Sequence, residues 1–297
     1  MPNLWHLAGR FRATAACCFA GTSVTKTGDH TTERMSDAMT QQQLTFGSLF
    51  AGIGGLDLGF ERAGLACKWQ VEIDPYANRV LAKHWPDVRR HDDVRTWPKH
   101  DTERVDVICG GFPCTDISSA GKKAGINGEQ SGLWSEFARI VCELRPRFVV
   151  VENVAALLQR GIGTVLGQLA AIGFDAEWHC ISAAAVGAPH LRDRIFIVAH
   201  ANGERLETTS DFTRSLFEGY REECRERFWE RSCLWKSHRS NEGRVRLLPA
   251  DFDGGDDGGI PDRMDRVRCL GNAVLPQIAE WIGRRIIESA ARSESVQ

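Results

Sequence analysis

From Leu44 to Ala199 the chain alternates short apolar runs with helix-length amphipathic segments, the pattern of βαβ units built around a mostly parallel sheet. Five runs read as strands: LTFGSLF (44–50), ACKWQVE (66–72), VDVICG (105–110), RFVVVE (147–152) and RIFIVA (194–199). Between them, YANRVLAKHW sets Ala77, Val80, Leu81 and Trp85 at helical spacing, and SGLWSEFARIVCEL puts Leu133, Phe137, Ile140, Val141 and Leu144 on one stripe. These stripes are expected to be core, not site. The predicted fold class is α/β.

Residues 200–262 break the alternation with a polar, Arg- and Glu-rich insert that contains Trp229 and Trp235 and runs into DGGDDGG (253–259). Within it Phe212, Leu216, Tyr220, Cys224 and Phe228 recur at four-residue spacing, which predicts an amphipathic helix with Ser210 as its cap. Beyond it, Val274, Ile278, Trp281, Ile282 and Ile286 predict a closing helix that packs on the main unit, with Pro276 in its first turn. The expected organisation is thus an N-terminal extension (1–43), a catalytic unit (44–199), a short insert (200–262) and a closing segment (263–297). Residues 1–28 hold no acidic residue, and ATAACCFAG loosely resembles a targeting peptide. The plainer reading is a disordered extension from an upstream start, since Met35 and Met39 lie just before the first strand.

Composition narrows the classes of partner. With 37 Lys and Arg against 39 Asp and Glu, a formal net charge of −2 announces no polyanion, so any nucleic-acid contact must be a local patch. No apolar run approaches the ~18 residues a membrane-spanning helix requires. Ten cysteines at irregular spacing, in a chain of 297 residues that needs no staples, favour reduced thiols and a cytoplasmic setting.

The run SLFAGIGGLDLGF passes from a strand to a helix through Gly52, Gly54 and Gly55, either as a plain connector or as a loop that lets backbone approach a ligand. Glu72, at the end of the next strand, stands where an acid accepts hydrogen bonds from ribose hydroxyls. The position that a dinucleotide fingerprint fills with its third glycine is Asp57, whose charge opposes pyrophosphate. S-adenosylmethionine, with a sulfonium, an amino group, a ribose and no phosphate, suits such a loop better than NAD; alternatively Asp57 is only a first-turn helix acid. Asp93 is either a third acid that meets an adenine amino group or a solvated loop residue.

In VDVICGGFPCTDIS the strand ends and Cys114 follows Pro113, which fixes its own φ and pushes Phe112 into an extended conformation. A thiol used for attack is held in this way, whereas Cys109, inside the strand, reads as a buried inert thiol. RFVVVENV sets Glu152 and Asn153 at the carboxyl end of an apolar strand, where partial burial disfavours ionisation of the acid; a helix cap is the other reading. In GAPHLRDRIFIVA alternation places Arg192 and Arg194 on one face, suited to an anionic substrate or to surface pairing with Asp193 or Glu177.

Taken in order, FAGIGG, GGFPC, ENV, HLRDR before a strand, and GNAV resemble the DNA cytosine-5 methyltransferase family over about 44–199 and 266–286. The resemblance implies a Rossmann-like S-adenosylmethionine-dependent methyltransferase fold with a small irregular target-recognition insert. It implies that Phe50, Gly52, Gly54, Gly55, Pro113 and Asn272 shape the S-adenosylmethionine site, with Glu72 on the ribose, Ile73 against the adenine and Asp93 near its amino group. Cys114 is then the nucleophile that adds to C6 of cytosine, Glu152 holds N3 and the exocyclic amine, and Arg192 and Arg194 orient the base, its phosphates and the catalytic loop. The implied partner is double-stranded DNA, from which the base is flipped; the protein is expected to act as a monomer without needing a cognate restriction endonuclease.

The chain departs from the family in having His190 and Leu191 where glutamine often precedes the arginines, and in the shortness of its insert. Arg221, Arg225, Arg227, Arg231, Arg239, Arg244 and Arg246 suit phosphates, or else a solvated face paired with Glu222, Glu223, Glu226 and Glu230. Two other readings keep the fold: a transfer RNA cytosine-5 methyltransferase and a catalytically silent DNA-binding homologue. A metal module from Cys224, Cys233 and His238 lacks paired close spacing.

Overall fold

The computed structural model describes residues 9–11, 43–98, 101–113, 133–186, 188, 192–201, 235–239, 245–249 and 263–295. Its strands are β1 (Gly9–Phe11), β2 (Thr45–Leu49), β3 (Ala66–Val71), β4 (Arg89–His91), β5 (Val107–Gly110), β6 (Phe148–Val154), β7 (Phe174–Ser182), β8 (Asp193–Ala201), β9 (Trp235–Arg239) and β10 (Val245–Pro249). The helices are α1 (Gly55–Ala63), α2 (Pro75–His84), α3 (Leu133–Leu144), α4 (Leu157–Arg160), α5 (Ile162–Ala171), α6 (Arg263–Asn272) and α7 (Pro276–Ser295).

Eight strands form one sheet in the order β1-β7-β8-β6-β5-β2-β3-β4. From β4 to β6 every neighbour is parallel, whereas β8 enters antiparallel to both β6 and β7, and β1 lies antiparallel to β7. The α/β expectation holds, and the five expected strands fall within a residue or two of β2, β3, β5, β6 and β8. The sequence reading passed over β7, whose alternation of Phe174 and Ala176 inward is broken by half-buried Trp178 and His179. It also passed over β4, only three residues long. Gly9–Phe11 adds an edge strand antiparallel to β7. The insert, expected to be irregular, carries the antiparallel pair β9 and β10. Its expected helix over 210–231 lies outside the described residues.

Period-two alternation splits the core in two. Ile108, Val149, Val151, Ile195 and Ile197 face α3 and α5, whereas Val107, Cys109, Val150, Phe196 and Val198 face α1 and α7. The stripe of α3 is buried at Phe137, Ile140, Val141 and Leu144, as expected, while Leu133 is half-buried. The closing helix α7 is where its pattern predicted, with Pro276 at its first position and Ile278, Trp281, Ile282 and Ile286 buried. It packs very closely on α1: a Cβ at Gly59 would lie 2.3 Å from the Pro276 carbonyl oxygen, and one at Gly283 would lie 2.8 Å from the Ala63 Cβ. Among the described residues no helix is long and apolar enough to cross a membrane.

The chain runs outward from β2 through β3 to β4 and then returns to β5 on the other flank of β2. That reversal leaves a crevice beyond the carboxyl ends of β2 and β5, the position at which open α/β sheets bind ligands.

Candidate active site

A cavity of about 630 Å³ opens at this crevice. Eight of the residues expected on the cofactor side line it: Phe50, Gly52, Gly55, Glu72, Ile73, Asp93, Pro113 and Asn272. Glu152 and Arg194 line it from β6 and β8. Gly54 does not; it is the N-cap of α1, with a left-handed φ of 82°, and a Cβ there would meet the Trp85 ring at 2.4 Å. Cys114, His190 and Leu191 lie outside the described residues.

The turn after β2 is tight. Phe50, although not glycine, sits at φ 51°, a conformation that survives only where surrounding structure enforces it. The Ala51 amide donates to the Val71 carbonyl at 3.1 Å and that of Gly54 to Ala51 at 3.0 Å, so the loop folds back towards β3. Gly54 offers α1 no side-chain cap, so the positive end of that helix is left to other partners. Glu72 knits the opposite wall: its carboxylate accepts from the Gly52 amide at 2.7 Å and from the Asp74 amide at 2.8 Å, and burial pushes its carboxyl up. Beside it Ile73 is 62% exposed, a large apolar side chain left bare at the cavity.

Gly55 makes close packing here obligatory, because a Cβ on it would lie 2.4 Å from the carbonyl oxygen of Val274, in the segment after α6. The atoms it would meet are Val274 backbone, which does not yield cheaply. Gly55→Ala therefore gains about 1 kcal/mol of helix propensity and loses more, about 1–3 kcal/mol, to overpacking. We expect a lower melting temperature, measured by thermal denaturation.

Asp93 is placed at the cavity, but its carboxylate is engaged. It caps the turn Val94–Thr96 and pairs with the Arg95 guanidinium at 2.7 Å, which together hold its carboxyl below the usual range.

On the other side of the cavity, Glu152 is 7% exposed at the end of β6, with Arg194 Nε 2.9 Å from its Oε1. Burial outweighs the attraction of Arg194 and Arg192 and raises its carboxyl to about 7, the direction the sequence predicted. Arg192, just before β8, also donates to the Gly271 carbonyl, tying the approach to that strand to the end of α6.

Of the two readings of Asp57, the ligand-facing one fails and the first-turn acid holds: Asp57 sits in the first turn of α1, fully buried behind the loop, and does not line the cavity. Its carboxylate accepts from Gln70 Nε2 at 2.8 Å and from Ser48 Oγ at 3.1 Å, bracing α1 against β2 and β3. The sequence cannot show this, because the first turn of a helix faces both ligand and core. Burial lifts the Asp57 carboxyl from 3.8 to about 6. A carboxyl raised in the folded state favours folding while protonated, and that stability is lost as pH rises from 3.8 through about 6. At about 1.4 kcal/mol per pH unit this is a loss of about 3 kcal/mol. Asp57→Asn should remove it, so that the variant gains on the parent between pH 4 and 6.5 in urea titrations.

Sequence reasoning missed several residues that the fold brings to the site. Asn153 Nδ2 donates to the Phe112 carbonyl at 3.1 Å and so anchors the loop that leads to Cys114; its place in ENV was the available signal. A Cβ at Gly111 would lie 2.6 Å from Glu152 Oε2, so only glycine leaves room for the acid. Leu133 and Ala77, read as core, line the cavity. Arg268, on the unexpected helix α6, pairs with Asp74 across the cavity mouth. Cys109 is the inert thiol expected, its pKa pushed well up by burial. Among the described residues no group of His, Cys, Asp and Glu suits a metal ion.

The model of the C-5 cytosine-specific DNA methylase family matches residues 44–239, more than half of the chain. The chain belongs to that family. Relatives of this methylase-family chain include the type II methyltransferase M.Eco47II of Escherichia coli, 39% identical over 163 residues that make up 52% of this chain and 39% of that protein. M2.BsuMI of Bacillus subtilis is 32% identical over 160 residues, 51% of this chain and 41% of that protein. M.DsaV of Dactylococcopsis salina is 28% identical over 218 residues, 69% and 61% respectively. The alignments with these three thus cover between 39 and 61% of the relatives' own length. Among solved structures, a prophage-encoded DNA modification methyltransferase of E. coli superimposes with a TM-score of 0.61 at 21% identity, covering 84% of this chain and all of that one. The Entamoeba histolytica methyltransferase EhMeth gives 0.57 at 14%, covering 84% and 99%. These likenesses establish the methyltransferase fold.

Proposed function

We propose that this methylase-family protein transfers a methyl group from S-adenosylmethionine to C5 of a flipped-out cytosine in double-stranded DNA. The observation that carries the reading is the buried Glu152, raised to about 7 and held by Arg194 beside the loop that leads to Cys114. An acid in that state retains a proton near neutrality and suits a ring nitrogen whose basicity rises during reaction.

The cavity fits the cofactor on its own chemistry. Gly52 and Gly55 allow backbone approach, Glu72 offers remaining carboxylate lone pairs to ribose hydroxyls, bare Ile73 offers an apolar face to adenine, and the uncapped end of α1 favours a carboxylate. When bound, S-adenosylmethionine supplies an electrophilic methyl group on its sulfonium. The protein's part is to make C5 nucleophilic. The Cys114 thiolate forms a bond to C6, the C5–C6 double bond opens, and proton sharing from Glu152 at N3 offsets the charge that develops. After C5 takes the methyl group its proton passes to a water molecule, and the electron pair of that C–H bond re-forms the C5–C6 double bond as the Cys114 sulfur leaves as thiolate. Asn153 and Gly111 shape the loop and the acid, while Arg194 orients the acid.

We take the protein to act in the cytoplasm, as a monomer on DNA, with no need of a cognate nuclease; its relatives' names as type II methyltransferases support a place in restriction and modification. The test is incubation with duplex DNA containing 5-fluorocytosine and S-adenosylmethionine, with a parallel arm using transfer RNA. A covalent complex with the duplex, stable in denaturant, supports the reading. Trapping by transfer RNA alone transfers the reading to the RNA substrate, and absence of trapping in both arms counts against covalent catalysis.

A further inference from the structure

Arg139 lies on α3, outside the cavity, yet its guanidinium reaches the cavity wall. Nε donates to Glu136 Oε2 at 2.8 Å and Nη1 to Glu143 Oε1 at 2.9 Å, so two carboxylates of the same helix fix the plane of the group. Nη2 then donates to two backbone carbonyls, those of Val94 at 2.8 Å and Trp97 at 2.6 Å. These carbonyls begin and close the turn Val94–Thr96, whose first residue, with Asp93, lines the cavity. The inner side of the turn faces the ligand space while a single side chain grips its outer side. A guanidinium is the group suited to this, because its rigid fork spans two acceptors while two carboxylates hold it; an ammonium is a point charge without such a plane.

The same helix has a second connection to the site. It begins at Leu133, which lines the cavity, and the segment before it in sequence starts at Cys114. We propose that Arg139 is a positioning residue for the adenine subsite: it sets the Asp93–Val94 edge at the spacing that recognises the base of the cofactor and ties that edge to the helix following the nucleophile's segment. This rests on the reading that the cavity takes S-adenosylmethionine. Arg139 touches neither cofactor nor substrate, so its loss should act on recognition of the base and leave the chemical step intact.

The experiment compares the parent with Arg139→Lys, using calorimetric binding of S-adenosylhomocysteine and of its hypoxanthine counterpart, S-inosylhomocysteine. The parent is expected to prefer the adenine ligand by about tenfold, on the scale of one well-placed hydrogen bond. In Arg139→Lys the adenine ligand should weaken by about tenfold while the hypoxanthine ligand changes little, so discrimination collapses. Where methyl transfer is measured, KM for S-adenosylmethionine should rise with kcat within about twofold. Glu143→Gln, at an exposed carboxylate that only orients the guanidinium, should shift discrimination in the same direction by a smaller factor. The inference is overturned if Arg139→Lys retains the parent's discrimination, or if both ligands weaken equally with a fall in Tm, since a purely structural prop would give the latter. A parent that binds neither ligand overturns the cofactor reading itself, and this inference with it.

Discussion

Replacing Cys114 by serine is expected to lower methyl transfer by about 10⁴-fold or more, the scale on which removing a covalent nucleophile acts. The substitution changes one atom and keeps the shape of the loop, so the effect should be chemical. A serine hydroxyl is essentially un-ionised near neutral pH, whereas a thiol supplies thiolate at accessible cost and is intrinsically more nucleophilic. Without addition at C6, C5 of cytosine lacks the electron density to take a methyl group. The measurement is single-turnover transfer of radiolabelled methyl groups to duplex DNA, with S-adenosylhomocysteine affinity as control. Affinity within twofold of the parent alongside lost transfer is the expected pair; transfer at the parent's rate from a folded variant would remove Cys114 from the mechanism.

Glu152→Gln should have the next largest effect, a loss of about 10²- to 10⁴-fold in kcat. Glutamine fills the same volume beneath Gly111 and keeps a carbonyl oxygen for Arg194, 2.9 Å from the carboxylate in the parent, but its amide N–H can only hydrogen-bond to N3 and cannot transfer a proton to it. A signature in pH separates this from misfolding. On the proposed mechanism the competent form of the parent is the protonated acid, and burial raises its carboxyl to about 7, so the parent's rate is expected to carry a limb that falls as pH rises through 7. The glutamine variant should lack that limb. A variant whose remaining rate still falls through pH 7 would assign the titration to another group.

The site was legible in unequal measure, for physical reasons. Gly52, Gly55 and Glu72 were readable because backbone approach and a carboxylate at a strand end each demand a particular residue type at a particular place, and the structure sets them around one cavity. Glu152 was readable because an acid closing so apolar a strand has few harmless explanations. Asp57 was legible only as a choice between a ligand-facing acid and a first-turn helix acid: the first turn of α1 has one face on the ligand and one on the core, and no local pattern tells which face a given side chain takes. Arg139 was silent, since its two carbonyl partners lie 42 and 45 residues away and a helical arginine flanked by glutamates reads as a solvated face. β7 was silent because polar and half-buried side chains interrupt its alternation at the strand that pairs with both β1 and β8.

By itself the sequence determined local matters: the five strands and the helices with a clear apolar stripe, the glycine-bound turn, and which residue types are chemically apt for covalent attack and proton sharing. Those follow from periodicity and from functional groups that each residue carries wherever it is placed. Tertiary structure alone decided which of these residues meet. It turned Arg194 onto Glu152 and Arg192 onto Gly271, buried Asp57 behind the loop, and set the backbone of Val274 against Gly55. Such choices depend on contacts between segments far apart in the chain, and their energies arise only once the sheet has brought those segments within reach.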